Sequence, residues 1–216
     1  MSNPNQPKRL SRKTQLIASG VLILFVLVVS MFYNQQNQES LQVPAGEEVQ
    51  MTGTYYADIV VENYGTITVE LNGDAAPITV GNFVNLARSG FYDGLTFHRI
   101  MEGFMMQGGD PNGNGSGSSD QRIVGEFSQN GYDNPLSHTR GAISMARANN
   151  PDSASCQFFI VHEDAVFLDG QYAAFGYVTE GMEVVDAICA DAEPTDDNGT
   201  IPAEAQPVIE SITIRE

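Results

Sequence analysis

Between Tyr55 and Ile214 the apolar and β-branched residues gather in short segments of four to seven residues, separated by stretches that carry glycine, asparagine or aspartate. This is the spacing of short, half-buried strands, and it constrains the fold more than any other feature of the chain. Tyr55–Val61 and Thr66–Leu71 alternate and are rich in β-branched side chains. Glu62-Asn63-Tyr64-Gly65 separates them as a turn, so the pair is predicted to be a hairpin. Leu95–Ile100, Phe104–Gln107, Ala142–Met145, Phe158–Val161, Phe175–Val178 and Val208–Ile214 are predicted as further strands. Only two segments change period. Val80, Phe83, Val84 and Ala87 form one helical stripe ending near Gly90, with Asp74 and Pro77 suited to its first turn. Met182–Cys189 is a second short helix with Val185, Ile188 and Cys189 on one side. Many strands, two distant helices and no internal repeat argue for a closed sheet or a sandwich rather than βαβ winding.

Upstream the pattern is different. Leu16–Tyr33 is an 18-residue stretch interrupted only by Ser19, Gly20 and Ser30. As a helix it would span about 27 Å, close to the roughly 30 Å of bilayer hydrocarbon. Lys8, Arg9, Arg12 and Lys13 precede it, which predicts a cytoplasmic N-terminus by the positive-inside rule. Residues 1–15 are then a basic cytoplasmic tail, 16–33 a transmembrane signal-anchor and 52–216 an extracytoplasmic domain of a single-pass membrane protein. The alternative is a secreted protein released by cleavage near Ser30, where Val28-Val29-Ser30 loosely fits a processing site; bulky Met31 and Phe32 continue the apolar run past it. Residues 34–51 are polar and lack an apolar period, so they are predicted to be a flexible linker, its ends on the order of 23 Å apart.

From Glu39 onward six arginines face 27 acids, a net charge of −21. Such a surface repels phosphate backbones and excludes nucleic acid as a partner; its plain role is solubility. Cys156 and Cys189 match no metal spacing, and His98, His138 and His162 share no ligand spacing, so neither a metal nor a cofactor is expected. Pro111–Asp120 lacks the Gly-Lys-Ser/Thr ending of a phosphate cradle and is expected to be a flexible surface loop. No Gly-x-Ser-x-Gly elbow occurs.

What remains is one cation among aromatic and thioether side chains. Phe97-His98-Arg99-Ile100-Met101 is followed by Gly103-Phe104-Met105-Met106-Gln107-Gly108-Gly109-Asp110, and a second cluster is Gln157-Phe158-Phe159-Ile160. Strand alternation would point Phe97 and Arg99 one way, and Gln157 and Phe159 one way. An apolar pocket edged by one arginine and two glutamines holds no nucleophile and no acid–base pair. It suits a reaction that breaks no covalent bond. His98 is expected to be a satisfied structural histidine.

In these blocks, with Ser144-Met145-Ala146, Leu168-Asp169-Gly170 and Phe175-Gly176 in the same order, the chain resembles the cyclophilins, which are prolyl isomerases. The likeness runs from about Asp58 to Ile214, and His138-Thr139-Arg140-Gly141 and Met145-Ala146-Arg147 make it most similar to bacterial members. The resemblance implies a mainly β fold, a closed eight-stranded antiparallel barrel capped by two α-helices, here preceded by the transmembrane helix. It implies that Arg99 is catalytic, with Gln107 and Gln157 orienting it and the substrate backbone. Phe104, Met105, Phe159 and Leu168 would line a proline pocket, and Ala146-Arg147 would supply a main-chain contact. Phe167 stands where a tryptophan supports binding of cyclosporin-type cyclic peptides, Tyr172 replaces a histidine at the pocket edge, and Arg147 replaces an asparagine. The expected partners are proline-containing segments of exported or unfolded proteins, and the lipid bilayer through residues 16–33, with the chain a monomer. The alternative from another class is a proline-peptide-binding chaperone module with little turnover.

Overall fold

Strand β1 (Thr54–Val61) turns back at Asn63, whose φ of 65° lies in the left-handed region, into strand β2 (Gly65–Asn72), with Ile59 facing Ile67 across the pair. This hairpin belongs to a computed structural model that describes residues 49–216. The basic tail, the predicted membrane span and residues 34–48 of the linker lie outside the described residues. Among those described, no helix is long and apolar enough to cross a membrane.

The remaining strands are β3 (Phe97–Met101), β4 (Met105–Gly108), β5 (Ala142–Met145), β6 (Phe158–Val161), β7 (Ala174–Glu180) and β8 (Ile209–Arg215). All described pairings are antiparallel, in the order β3-β4-β6-β5-β7-β2-β1-β8. The sheet curls until its edges meet. Thr96 bridges Val208, the Phe97 amide donates to Pro207 O at 2.9 Å, and the Ile209 amide to Leu95 O at 2.7 Å. The barrel expected from the sequence is thus a curled eight-stranded sheet whose ends join through a short bridge rather than a full ladder.

Helix α1 (Pro77–Arg88) buries Val80, Phe83, Val84 and Ala87, the predicted stripe. Helix α2 (Met182–Asp191) buries Val184, Val185, Ile188 and Cys189. The core is aromatic at its centre, where the Phe83 ring lies 5.3 to 5.5 Å from Tyr92, Phe158 and Phe175. Pro77 stands in the first turn of α1 as expected, but Asp74 before it does not cap the helix, whose N-cap is Ala76. Asp74 instead accepts the Gly53 amide at 2.8 Å. The first-turn donors of α1 go to the buried carboxylate of Glu126, which accepts the Ile78 amide (3.1 Å), the Thr79 amide (2.8 Å) and the Thr79 hydroxyl (2.7 Å). Cys156 and Cys189 are free, buried thiols, and burial pushes Cys189 up to about 12.

One departure sets up the site. Phe97 pairs with Gly108 and Arg99 with Gln107, so β3 advances two residues while β4 advances one. His98 is the extra residue of a bulge. The expected common face of Phe97 and Arg99 is therefore broken: Phe97 packs edge-on against Phe158 in the core, while Arg99 emerges half-buried at the surface.

Candidate active site

A second, smaller apolar cluster lies apart from the main core. Met105 and Phe159 form its floor, and Phe104, Ala146, Leu168 and Tyr172 pack on it. Phe159 and Phe158 follow each other along β6, so alternation sends one to this cleft and the other to the core. Leu168 and Phe167 come from the turn Val166–Leu168. Phe167 is 64% exposed and stacks on Phe104 with ring centres 5.7 Å apart, forming an aromatic lip. Tyr172 stands edge-on to Phe159 at 5.9 Å. Arg147 lies over the Tyr172 ring at 4.7 Å and over Phe127 at 5.1 Å, and its Nε–H donates to Gln171 O at 2.9 Å. The side chain of Arg147 thus builds one wall of the cleft.

Arg99 borders this cleft. Its Nη1 donates to Gln107 Oε1 at 3.2 Å, and Met101 and Met105 place their sulfurs 3.2 Å from Nη2 and 3.8 Å from Nη1. Gln107 Nε2 donates to Gln157 Oε1 at 2.9 Å, and Gln157 Nε2 donates to the carbonyls of Gly115 (3.2 Å) and Gly117 (2.8 Å). A single polar line therefore runs Arg99–Gln107–Gln157 and ends on a loop. Burial lowers the pKa of Arg99, yet a guanidinium stays cationic in a protein. All the residues singled out from the sequence for catalysis or binding meet here.

Pro111–Asp120, expected to be a free flexible loop, is tied down instead. The buried Asp110 carboxylate accepts the amides of Asn112 (2.8 Å), Asn114 (3.0 Å) and Gly115 (2.5 Å), and Ser119 N donates to Ser155 Oγ at 2.8 Å. The loop lines two cavities flanking Gln107. One, of about 220 Å³, is bounded by Ala146, Arg147 and Gln157; the other, of about 630 Å³, by His98, Arg99 and Asn198.

The histidines occupy three separate settings. His98, expected to be satisfied, is 4% exposed, and neither ring nitrogen has a hydrogen-bond partner among the described residues. The bulge turns it inward, where burial lowers its pKa; Asp110 opposes the shift and Arg99 adds to it. His138 receives Asp169 at Nδ1 (2.8 Å) and Ser144 at Nε2 (2.9 Å), and its ring stacks on Phe159 at 6.0 Å. That serine is fully buried, so the Ser-His-Asp order supports the cleft floor and meets no substrate. His162 accepts the Gly103 amide at 2.9 Å behind Phe104.

Sequence reasoning missed one segment. The main-chain carbonyl of Asn198 accepts the Arg99 Nε–H at 2.7 Å. Asp196-Asp197-Asn198-Gly199 reads as a turn, but nothing local in it names a partner 99 residues away.

The family model described as cyclophilin type peptidyl-prolyl cis-trans isomerase matches residues 56–215. A peptidyl-prolyl cis-trans isomerase of Helicobacter pylori is 44% identical over 144 residues, covering 66% of this chain and 85% of the relative. Peptidyl-prolyl cis-trans isomerase B of Bacillus subtilis is 48% identical over 124 residues, covering 57% and 83%. A crystal structure of a Cryptosporidium parvum cyclophilin type isomerase in the presence of the dipeptide Ala-Pro superposes with a TM-score of 0.66 at 30% identity, covering 74% of this chain and 99% of that one. With the family model spanning most of its length, the chain belongs to the cyclophilin-type peptidyl-prolyl cis-trans isomerases and is an enzyme of that class.

Proposed function

We propose that the chain accelerates rotation about Xaa-Pro bonds in exported proteins, outside the cytoplasmic membrane, with Arg99 as its catalytic residue. The observation that carries the reading is a guanidinium fixed by Gln107 at the edge of an apolar cleft. The planar amide resists rotation by about 18–20 kcal/mol because the nitrogen lone pair is delocalised into the carbonyl. Uncatalysed Xaa-Pro exchange takes tens to hundreds of seconds, and turnover near 10³ per second requires lowering the barrier by roughly 6–7 kcal/mol. At the twisted transition state the nitrogen regains its lone pair. An N–H aimed at that nitrogen acts far more strongly there than on the planar ground state.

Arg99 has N–H groups for this work beyond the two held by Gln107 and Asn198, because thioether sulfurs are weak acceptors. Phe104, Met105, Phe159 and Leu168 grip the proline ring, Gln107 and Gln157 orient the substrate backbone, and Ala146-Arg147 offers a main-chain contact on the far side of Gln157. Phe167 and Tyr172 close the walls. The Ala-Pro present with the Cryptosporidium isomerase supports a proline peptide as the ligand of this cleft. All these groups come from one chain, so a monomer suffices. The basic cluster and apolar run before residue 34 support a membrane tether for the acidic domain of residues 52–216.

The test is exchange spectroscopy on a peptide with a single Xaa-Pro bond, using the full 216-residue chain. The isomerase reading expects substoichiometric protein to raise the exchange rate at least about a hundredfold. Peptide binding without faster exchange would favour a chaperone module instead. Protease accessibility on intact cells, with digestion of the domain only from outside, tests the topology.

A further inference from the structure

Arg99 carries five N–H donors in one plane, and its shortest hydrogen bond goes to a residue outside the apolar cluster of the cleft. The acceptor is Asn198 O at 2.7 Å, on the loop of residues 195–201. We propose that Asp196 is a positioning residue for the isomerisation, folding this loop so that the Asn198 carbonyl fixes the plane of the Arg99 guanidinium. The inference rests on the assignment of Arg99 made above.

The loop is built around one carboxylate. Asp196 Oδ1 accepts the amides of Asn198 and Thr200, each at 3.0 Å, and Oδ2 accepts the Thr200 hydroxyl at 2.9 Å. Its main-chain oxygen accepts the Gly199 amide at 3.1 Å, and the Thr195 amide closes the loop onto Thr200 O at 2.8 Å. Hydrogen bonds from Thr200 hold Asp196 below the usual carboxylate range, so it is ionised at neutral pH. The folded loop then docks on the edge of β3, either side of Arg99. Ile100 N donates to Gly199 O at 2.8 Å and Ile201 N to His98 O at 3.0 Å. Only glycine serves at 199: its φ is +85°, and a Cβ there would stand 2.5 Å from Met101 Cγ and 2.6 Å from Ile100 O. With β3 holding both flanks, the direction of the Asn198 carbonyl follows from the fold of the turn.

Two anchors on opposite edges, Gln107 at Nη1 and Asn198 at Nε, stop the guanidinium from turning about its own stem. The proline ring is held by other side chains. Losing the Nε anchor therefore weakens the transition state more than substrate binding, and the loss falls on kcat. Asp196 is exposed and makes no hydrogen bond to Arg99 or to a cleft residue, so replacing it leaves the core intact; its charge also acts on Arg99 through space, which the Asp196→Asn variant separates from loop geometry.

The experiment measures kcat and KM for a single-proline peptide with the full chain, together with the Arg99 Nε–H resonance, assigned by its absence in Arg99→Lys. Asp196→Ala is expected to lower kcat about tenfold, with KM within about twofold, and to move that resonance upfield with faster hydrogen exchange. Asp196→Asn keeps an oxygen for both loop amides and is expected to retain kcat within about twofold. An unmoved kcat or resonance in Asp196→Ala overturns the proposal, as does an effect confined to KM. A loss in Asp196→Asn as deep as in Asp196→Ala overturns it too, because charge rather than loop geometry would then be the cause. Wild-type protein without activity sinks the reading of Arg99 itself; active wild type with an indifferent Asp196→Ala sinks only this inference.

Discussion

Arg99 and His98 are neighbours with opposite fates, and the bulge of β3 explains both. It delivers Arg99 to the cleft and turns a histidine inward, where no described group satisfies it. Burial holds the folded-state pKa of His98 below its ordinary 6.5. The unfolded chain therefore binds a proton at a pH where the folded chain does not. This contribution to stability is full above pH 6.5 and is lost as pH falls from there toward the folded value. His98→Leu removes the titration without removing a hydrogen bond. It is expected to change stability at about pH 7.5 by less than about 1 kcal/mol and to flatten the decline between about pH 7.5 and about pH 5.5. Urea melts at both pH values check this, and a variant as pH-sensitive as the wild type contradicts it. From the sequence this histidine reads as satisfied, because residue type alone says nothing of a bulge. By contrast Arg99, Gln107 and Gln157 are legible in the sequence, since they lie beside the apolar runs that build the cleft.

The elements themselves are the most readable level. Each of the eight strands and both helices lies where alternation or helical spacing places it, with β5 and β6 matching at both ends and no other end moved by more than about two residues. What the sequence hides are partners brought by topology. The cap of α1 comes from Glu126, 47 residues beyond Thr79, where the sequence offers Asp74 close by. Glu126→Ala leaves two amides and a hydroxyl without an acceptor in a buried setting, a loss of about 3 kcal/mol. Chemical denaturation should show this as a lower midpoint with an unchanged slope. A loss under about 0.5 kcal/mol would mean that other groups cap the helix. The tied loop of residues 110–119 and the strap of residues 195–201 are folded by local carboxylates, Asp110 and Asp196, but their docking partners, Ser155 and the edge of β3, are brought by topology.

At the scale of the molecule, the curled sheet turns its large side chains in two directions. Phe158 and Phe97 fill the interior, while Phe159 and Met105 floor a cleft on the outer face. A cleft of this kind is apolar because it is a second, small core left open on one side, and that openness is what the proposed proline site requires. The domain as a whole is acidic, and the guanidinium of Arg99 is the one cation bonded into the Gln107–Gln157 line among the described residues. In the proposed mechanism this cation stabilises the prolyl amide halfway through its turn and contributes little to holding the peptide. The measurement that tests it most directly is line-shape exchange on a single-proline peptide with Arg99→Ala, read for turnover and affinity in one titration. Turnover at least about a hundredfold below wild type, with peptide affinity within about fivefold, is the predicted result. Turnover equal to that of the wild type in a folded Arg99→Ala protein would contradict it.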